Sequence, residues 1–286
     1  MRLISFDHDG EARLGVEAAD HLIDLSVAAP SAPRDLMDLI RAGPSAFAEL
    51  DRLAAAAPAS ARRSLHGLKY RPPLARPGKL VCLGLNYVDH AAEAGAKPPE
   101  YPTVFFRGAT SLIGHGAPIR STRLSPTLDF EGELAAVMGR DAWQVSEADA
   151  LDYVAGYACF NDATIREYQR KAGGQWTVGK NFDGTGGFGP AFVTADALPP
   201  GAAGLKIQTR LNGAVMQDAN TSQMIFSVAQ TIGLLSQCMT LEAGDVLVMG
   251  TPSGIGAART PPVFMKPGDR VEVEIEGVGL LANPIG

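Results

Sequence analysis

The sequence predicts an α+β protein rich in β-structure, in which a small N-terminal α/β domain precedes a larger domain. Three observations predict this class. A strand-like start is followed by an Ala- and Leu-rich helical stretch at about 33–57. A proline-rich segment, 71–78, then ends this region, because proline removes a backbone donor and disfavours helix. Short alternating runs and turn residues dominate afterwards. The predicted domains are therefore 1–70 and 71–286.

The composition is that of an ordinary soluble globular chain. The 286 residues are 46% hydrophobic and carry a formal net charge of -6. No Lys/Arg-rich stretch supports nucleic-acid binding or a polybasic membrane contact. No apolar run approaches the roughly 18 residues of a membrane span, and the N-terminus does not resemble a signal peptide. We expect the three widely spaced cysteines to be reduced and buried, and the protein to be cytoplasmic.

Several segments of the larger domain have strand patterns. Residues 206–211 and 214–216 flank Asn212-Gly213, which predicts a hairpin with a type I′ turn. Alternating apolar and acidic residues at 271–276 predict a strand with one solvated face. Residues 245–249 predict a buried strand that runs into a Gly- and Pro-containing loop.

Helices are predicted at four places in this domain. A capping-box pattern at Ser146 predicts a helix start, and apolar residues at helical spacing predict a helix over 222–239. A third helix is predicted over 162–171. A short helix is predicted within 84–95, between glycines.

The segment 129–137 carries an unusual group of acidic residues. Its apolar end predicts a strand, which places residues two apart on one face. Asp129, Glu131 and Glu133 then point the same way, and their charges repel unless a cation or solvent intervenes. The segment therefore predicts either a cation site or an exposed acidic edge.

A second polar group follows in the chain. Asp162, Arg166 and Gln169 have the spacing i, i+4 and i+7, which is one face of a helix. A carboxylate, a guanidinium and a carboxamide together suit a metal and an anionic, oxygen-rich ligand. The alternative is a solvated helix face with an Asp–Arg pair. Because all candidate ligands are oxygen donors, Mg²⁺ or Ca²⁺ is favoured, Mn²⁺ is possible and zinc is less suitable.

Two further segments contain candidate catalytic residues. His90 and Glu93 are three apart on the short predicted helix, so the carboxylate can orient the imidazole as a general base. The alternative is a surface contact. The glycine-rich segment 179–190 contains Lys180 but matches no nucleotide-binding pattern. We expect its backbone to approach a small ligand, with Lys180 supplying positive charge.

Taken in chain order, these motifs resemble the fumarylacetoacetate hydrolase family over about residues 70–286. The resemblance depends on five motifs in the expected order rather than on any single one. They are 84–87 with His90, 129–134, Asn161-Asp162 with Arg166 and Gln169, Lys180 with 182–183, and 250–254.

The resemblance implies a mixed β-roll or sandwich catalytic domain, a homodimer, and a site for Mg²⁺, with Mn²⁺ or Ca²⁺ as alternatives. Leu83 stands where the family's eukaryotic namesake has a further aspartate ligand, which leaves three protein carboxylates here. Arg107 stands where the family often has lysine. The implied residues are Glu131, Glu133 and Asp162 for the metal, His90, Glu93 and Lys180 for catalysis, and Tyr87, Arg107, Arg166, Gln169 and Thr251 for the substrate.

The resemblance further implies hydrolytic C–C cleavage of an acylpyruvate-like 2,4-diketo acid, bound as a chelated 2-oxo acid. Oxaloacetate decarboxylation, and isomerisation or decarboxylation of a hydroxymuconate-type dienoate in aromatic catabolism, are alternatives that use the same enolate chemistry. A non-catalytic ligand-binding protein is a further alternative. Such a protein would be expected to lack a metal carboxylate or the His–Glu pair. This sequence retains all three carboxylates and the pair.

Overall fold

The computed structural model describes residues 1–171 and 173–286. It confirms the α+β, strand-rich class. The strands are β1 Arg2–His8, β2 Glu11–Glu17, β3 His21–Asp24, β4 Arg62–Ser64, β5 Lys69–Tyr70, β6 Leu80–Gly84, β7 Thr103–Phe106, β8 Leu112–Ile113, β9 Leu128–Asp129, β10 Gly132–Met138, β11 Val154–Asp162, β12 Thr164–Ile165, β13 Gly186–Thr194, β14 Lys206–Leu211, β15 Ala214–Asn220, β16 Val246–Val248, β17 Arg270–Ile275 and β18 Gly279–Pro284.

The helices are short and lie at the edges and ends of the sheets. They are α1 Leu25–Ala28, α2 Leu36–Ala42, α3 Pro44–Ala55, α4 Val88–Glu93, α5 Arg166–Lys171, α6 Thr177–Lys180 and α7 Val228–Leu235. Every helix within the described residues is too short or too polar to cross a membrane.

A long mixed sheet joins the N-terminal strands to the rest of the chain. Its order is β4-β3-β2-β1-β13-β11-β10-β16-β6-β7, and β5 and β8 pair with β1 and β13. The junction is the antiparallel pair β1 and β13, in which Arg2 lies opposite Val193. One core cluster contains side chains from both sides of residue 70, such as Leu14, Leu39 and Phe160. The division into two domains at residue 70 stays a prediction.

A second sheet, of order β15-β14-β17-β18, covers the other face of β10 and β11. Ile207 and Val273 from this sheet share a core cluster with Leu134 and Tyr157 from the long sheet. Two sheets packed face to face in this way form a sandwich. The predicted hairpin is confirmed: Asn212-Gly213 connects β14 to β15 with φ angles of 51° and 81°, as a type I′ turn requires.

The predicted N-terminal helix over 33–57 is two helices, α2 and α3, because the chain breaks at Gly43-Pro44. Gly43 has a φ of 84°, a conformation that favours glycine, and so cannot continue a helix. Pro44 lacks an N–H donor and begins the next helix, where that donor is not needed.

Two other helix predictions differ from the structure. Over 222–239 the α-helix is only α7, which begins after Ser227 in a capping box with Gln230. At Ser146 the hydroxyl bonds to Asp149, but only a 3₁₀ turn, Ala150–Tyr153, follows before β11. The cap therefore formed without the α-helix that it predicted, because only the four residues of this turn separate it from β11. Among the cysteines, Cys82 and Cys159 are buried as predicted and Cys238 is exposed.

Phe192→Ala is expected to destabilise the core that the N-terminal segment shares with the long sheet. The Phe192 ring on β13 is fully buried, and its centroid lies 6.2 Å from that of Phe47 on α3. Removing a buried ring of this kind lowers the free energy of unfolding by about 3–5 kcal/mol. Guanidinium unfolding would show this loss as a lower midpoint concentration. Phe106→Ala, at a 43% exposed position, is the matched control and should cost less than about 1 kcal/mol. Equal shifts in the two variants would contradict the assignment of Phe192 to this core.

Candidate active site

Three carboxylates from neighbouring strands meet beneath a cavity. Ligand oxygens of Glu131, Glu133 and Asp162 all lie within 4.8 Å of one another, and the three residues are buried. Glu131 immediately precedes β10, Glu133 lies within it, and Asp162 ends the adjacent β11. Because Gly132 pairs with Asn161 across these antiparallel strands, the acidic residues reach the same end of the sheet. Burial excludes an exposed acidic edge here.

The structure corrects two features of the predicted acidic groups. Asp162 ends a strand rather than beginning a helix, since α5 starts at Arg166, so the prediction of one helical face was wrong. The predicted strand over 129–137 is interrupted between β9 and β10. Asp129 consequently points elsewhere and accepts hydrogen bonds from Arg166 Nε at 2.8 Å and from the Gly256 N–H at 2.8 Å. It supports the site without joining the three carboxylates.

Buried cations contact the carboxylates directly. The Lys180 ammonium on α6 bonds to Glu131 and lies 2.5 Å from Asp162 Oδ2. Arg166 Nη2 lies 2.7 Å from Glu131 Oε1, and the Arg107 guanidinium bonds to Asp162. These cations offset part of the repulsion that would otherwise oppose burying several acidic groups together.

The pKa values of the two glutamates are shifted in opposite directions. Burial raises the pKa of Glu133 well above its usual range, and the charges of Asp162 and Glu131 raise it further. Burial also acts to raise the pKa of Glu131, but the charges of Arg166 and Lys180 outweigh it and lower that pKa to about 2. The raised pKa favours a proton on Glu133 in the metal-free protein, and a divalent cation would take the place of that proton. Three buried oxygen donors, one with a pKa raised by burial and by the charges of the other two, fit a hard cation.

His90 and Glu93 form the predicted pair on α4. His90 Nδ1 lies 3.2 Å from Glu93 Oε2, and the Gly254 N–H donates to Glu93 Oε1 at 2.8 Å. Burial acts to raise the pKa of Glu93, but its bonds with His90 and Gly254 outweigh this and lower it. An ionised Glu93 favours the tautomer with the proton on Nδ1, which leaves Nε2 of His90 free to accept a proton.

The predicted residues converge on one cavity of about 430 Å³. This volume lies in the lower part of the range for small-molecule sites, which is about 300–1,000 Å³. The sequence-predicted residues that line the cavity are His90, Glu93, Glu131, Glu133, Arg166, Gln169, Lys180 and Thr251.

Asp162, Tyr87 and Arg107 lie outside this lining, although Asp162 contacts Lys180 and the other two carboxylates of the site. Tyr87 is 2% exposed, and burial followed by the charge of Glu133 raises its pKa. Arg107 is buried, and it donates to Thr185 Oγ1 at 2.8 Å in addition to Asp162. Both side chains are buried and lie outside the cavity lining, so a contact with the substrate stays a prediction for each.

Sequence reasoning missed two residues that shape the site. Gln217 on β15 donates to Thr251 Oγ1 at 2.8 Å, and the Thr251 hydroxyl in turn donates to the Gly132 carbonyl at 3.0 Å. Trp176 lines the cavity and packs edge-to-face on Phe105, with ring centroids 5.9 Å apart. Neither residue belongs to a local motif, and only the fold brings them to the site.

Fold and site together define a family of enzymes with a buried carboxylate site. The chain belongs to the fumarylacetoacetate hydrolase family: the C-terminal region of fumarylacetoacetate (FAA) hydrolases matches residues 79–286. A mitochondrial oxaloacetate tautomerase from Xenopus laevis is 37% identical over 290 residues, which cover 100% of this chain and 90% of the relative.

Solved structures agree with this assignment. A fumarylacetoacetate hydrolase from Exiguobacterium antarcticum is 35% identical and superposes with a TM-score of 0.85, covering 100% of this chain and 99% of the other. A maleylpyruvate hydrolase from Sphingobium, in complex with manganese and pyruvate, is 27% identical with a TM-score of 0.81, covering 100% and 98%.

Proposed function

We propose that this protein is a divalent-metal-dependent enzyme that interconverts the keto and enol forms of oxaloacetate. The observation that carries the proposal is that an oriented base, His90, lines one small cavity together with Lys180 and two carboxylates of the triad, Glu131 and Glu133. Enolisation of a 2-oxo acid needs those parts: a base at the carbon, and positive charge at the oxygen. The similarity to an oxaloacetate tautomerase along the full length of this chain supports the choice of substrate.

Glu131, Glu133 and Asp162 would hold the metal. Their oxygen donors suit Mg²⁺ or Mn²⁺, and the maleylpyruvate hydrolase relative binds manganese. When bound, the ion would supply Lewis-acid polarisation of the 2-oxo acid oxygens. We favour Mg²⁺ as the physiological ion.

In the proposed reaction the protein moves one proton and breaks no C–C bond. His90 Nε2 takes the proton from C3, while Glu93 holds the ring through Nδ1 and stabilises the imidazolium. Negative charge develops on the C2 oxygen, where the Lys180 ammonium donates a hydrogen bond. Burial acts to lower the pKa of Lys180, but Asp162 and Glu131 outweigh it, so the group stays charged. The His90 imidazolium then gives that proton to the C2 oxygen, directly or through solvent, which completes the enol and restores the neutral base, and no water is consumed.

A second candidate function is hydrolytic C–C cleavage of an acylpyruvate-like 2,4-diketo acid. It is favoured by the likeness to the maleylpyruvate hydrolase bound to pyruvate. In that reaction His90 would deprotonate a water that attacks the distal carbonyl, and Lys180 with Gln169 would stabilise the oxyanion. Oxaloacetate decarboxylation and isomerisation of hydroxymuconate-type dienoates use the same enolate and stay predictions, as do the homodimer and the cytoplasmic location.

The test is an assay that separates these reactions. Metal-stripped protein would be given enol-oxaloacetate with Mg²⁺, with Mn²⁺ or with chelator, and loss of the enol absorbance and release of pyruvate would be followed together. We expect metal-dependent enol loss, faster than buffer and metal alone, with no matching release of pyruvate.

Acetylpyruvate is the substrate that tests the second candidate function, hydrolytic C–C cleavage. Suppose that pyruvate is released from acetylpyruvate in a metal-dependent way, while enol loss from oxaloacetate is not accelerated. This result would contradict the proposed tautomerase activity and support hydrolysis. Pyruvate release from oxaloacetate would instead identify a decarboxylase. A Glu131→Gln variant controls for metal chemistry outside the site, since it should be inactive in every arm.

A further inference from the structure

Helix α5 presents a second guanidinium to the active cavity. Arg166, Gln169 and Arg170 all line it. Their spacing of three and four residues places them on one face of the helix, with side chains four apart separated by about 6 Å. Arg170 thus lies about one helical turn beyond Arg166, which itself contacts Glu131 of the carboxylate triad.

Arg170 differs from the other cations of the cavity in having no acidic partner within residues 1–171 and 173–286. Arg166 is paired with Asp129, and Lys180 bridges two carboxylates of the triad. On the outer face of α5, Lys171 pairs with Glu167 at 2.6 Å. Arg170 is exposed at the cavity, so its positive charge is available to a ligand.

An aromatic part of the cavity wall limits ligand size. Trp176 lies directly on the backbone at Gly84, where an added Cβ would be only 1.9 Å from the indole Cζ3. The same indole packs on Phe105, and all three residues line the cavity. The absence of a side chain at Gly84 therefore lets the indole form a close apolar wall. A small cavity that offers a metal-binding carboxylate triad for the 2-oxo acid group, and a guanidinium that no acidic group of the described residues pairs, suits a short dianion.

We propose that Arg170 binds the second carboxylate of a short 2-oxo dicarboxylic acid and selects such substrates over 2-oxo acids with neutral tails. This proposal rests on the proposed function, which places the 2-oxo acid end of the substrate at the triad. An arginine suits this role because its planar guanidinium can hold a carboxylate through two parallel hydrogen bonds.

Direct binding of malate and lactate, in the presence of Mg²⁺, tests the proposal. The two 2-hydroxy acids differ in the second carboxylate, and neither requires turnover by this enzyme. Calorimetry should show the wild type binding malate at least about tenfold more tightly than lactate, the size of one charge-assisted hydrogen bond. Arg170→Gln should remove that preference by weakening malate alone, and Arg170→Lys should restore part of it.

Lys171→Gln is the matched control, since it removes the neighbouring cation that already has a partner. It should leave both affinities unchanged. Equal affinity of the wild type for malate and lactate, or an equal loss of both in Arg170→Gln, would overturn the role of Arg170. Failure of oxaloacetate turnover together with a malate preference that depends on Arg170 would instead refute the tautomerase proposal and leave the dicarboxylate subsite standing.

Discussion

Glu133→Gln is expected to lower metal-dependent turnover by at least about a thousandfold while leaving the metal-free protein folded. Removing one of three ligand carboxylates weakens metal binding, and the Lewis-acid contribution at stake is several kcal/mol, with each 1.36 kcal/mol worth a factor of ten. The fold should tolerate the change because the amide oxygen can still accept the hydrogen bond that the Gly250 N–H donates to Glu133 Oε2 at 2.6 Å.

The pH dependence of stability gives this prediction a second readout. Because the pKa of Glu133 is raised in the folded state, its contribution to stability is fully present below its unfolded pKa. That contribution is lost as pH rises toward the folded pKa, by up to about 1.4 kcal/mol per pH unit. Glutamine does not titrate, so the metal-free variant should become more stable relative to the wild type as pH rises above about 4.5. Metal affinity of the wild type should rise over the same window, since the metal displaces a proton.

Chemical unfolding would measure the first effect, and calorimetry of Mg²⁺ and Mn²⁺ binding would measure the second. Both would be followed from about pH 5 to about pH 8, which lies within the pH range named above. Glu147→Gln, at an exposed position away from the site, is the control and should alter neither quantity. If Glu133→Gln retained full metal affinity and turnover, the three carboxylates would not be the metal site.

Local patterns in the sequence identified much of the site chemistry but placed part of it on the wrong elements. The spacing of Glu131 and Glu133 correctly predicted two carboxylates at one place, because a strand repeats every two residues. Asp162 was assigned to a helix by its spacing to Arg166, whereas it ends β11. The polar residues still meet because the end of β11 and the start of α5 lie beside β10, a relation that chain spacing does not contain.

Long-range contacts explain what the sequence could not predict. Gln217 orients Thr251 across 34 positions of the chain, and Lys180 reaches Glu131 across 49. The indole of Trp176, just before α6, lies on Gly84 at the end of β6, although the two residues are far apart in the chain. Alternation and turn residues did predict the hairpin at Asn212-Gly213, since a type I′ turn depends on adjacent residues alone.

His90→Ala is expected to lower kcat by about 10²–10⁴, the usual contribution of a positioned general base. Metal affinity should stay within about twofold of the wild type, since His90 is not among the clustered carboxylates. Steady-state tautomerisation and calorimetry of Mg²⁺ binding would measure the two quantities. His66→Ala, at an exposed position in the N-terminal segment, is the matched control. Unchanged turnover in His90→Ala would defeat the assignment of His90 as the base.

Glu93 provides a stricter test of how His90 works. If Glu93 acts by orienting and charging the imidazole through the 3.2 Å contact, Glu93→Gln should slow turnover less than His90→Ala does. In the His90→Ala background it should then have little further effect, because residues acting as one unit are not additive. Glu93 also accepts the Gly254 N–H, so a purely structural role is the alternative. That alternative predicts an added loss in the double variant, together with a lower unfolding midpoint, and so the double variant separates a positioning carboxylate from one that only holds the loop.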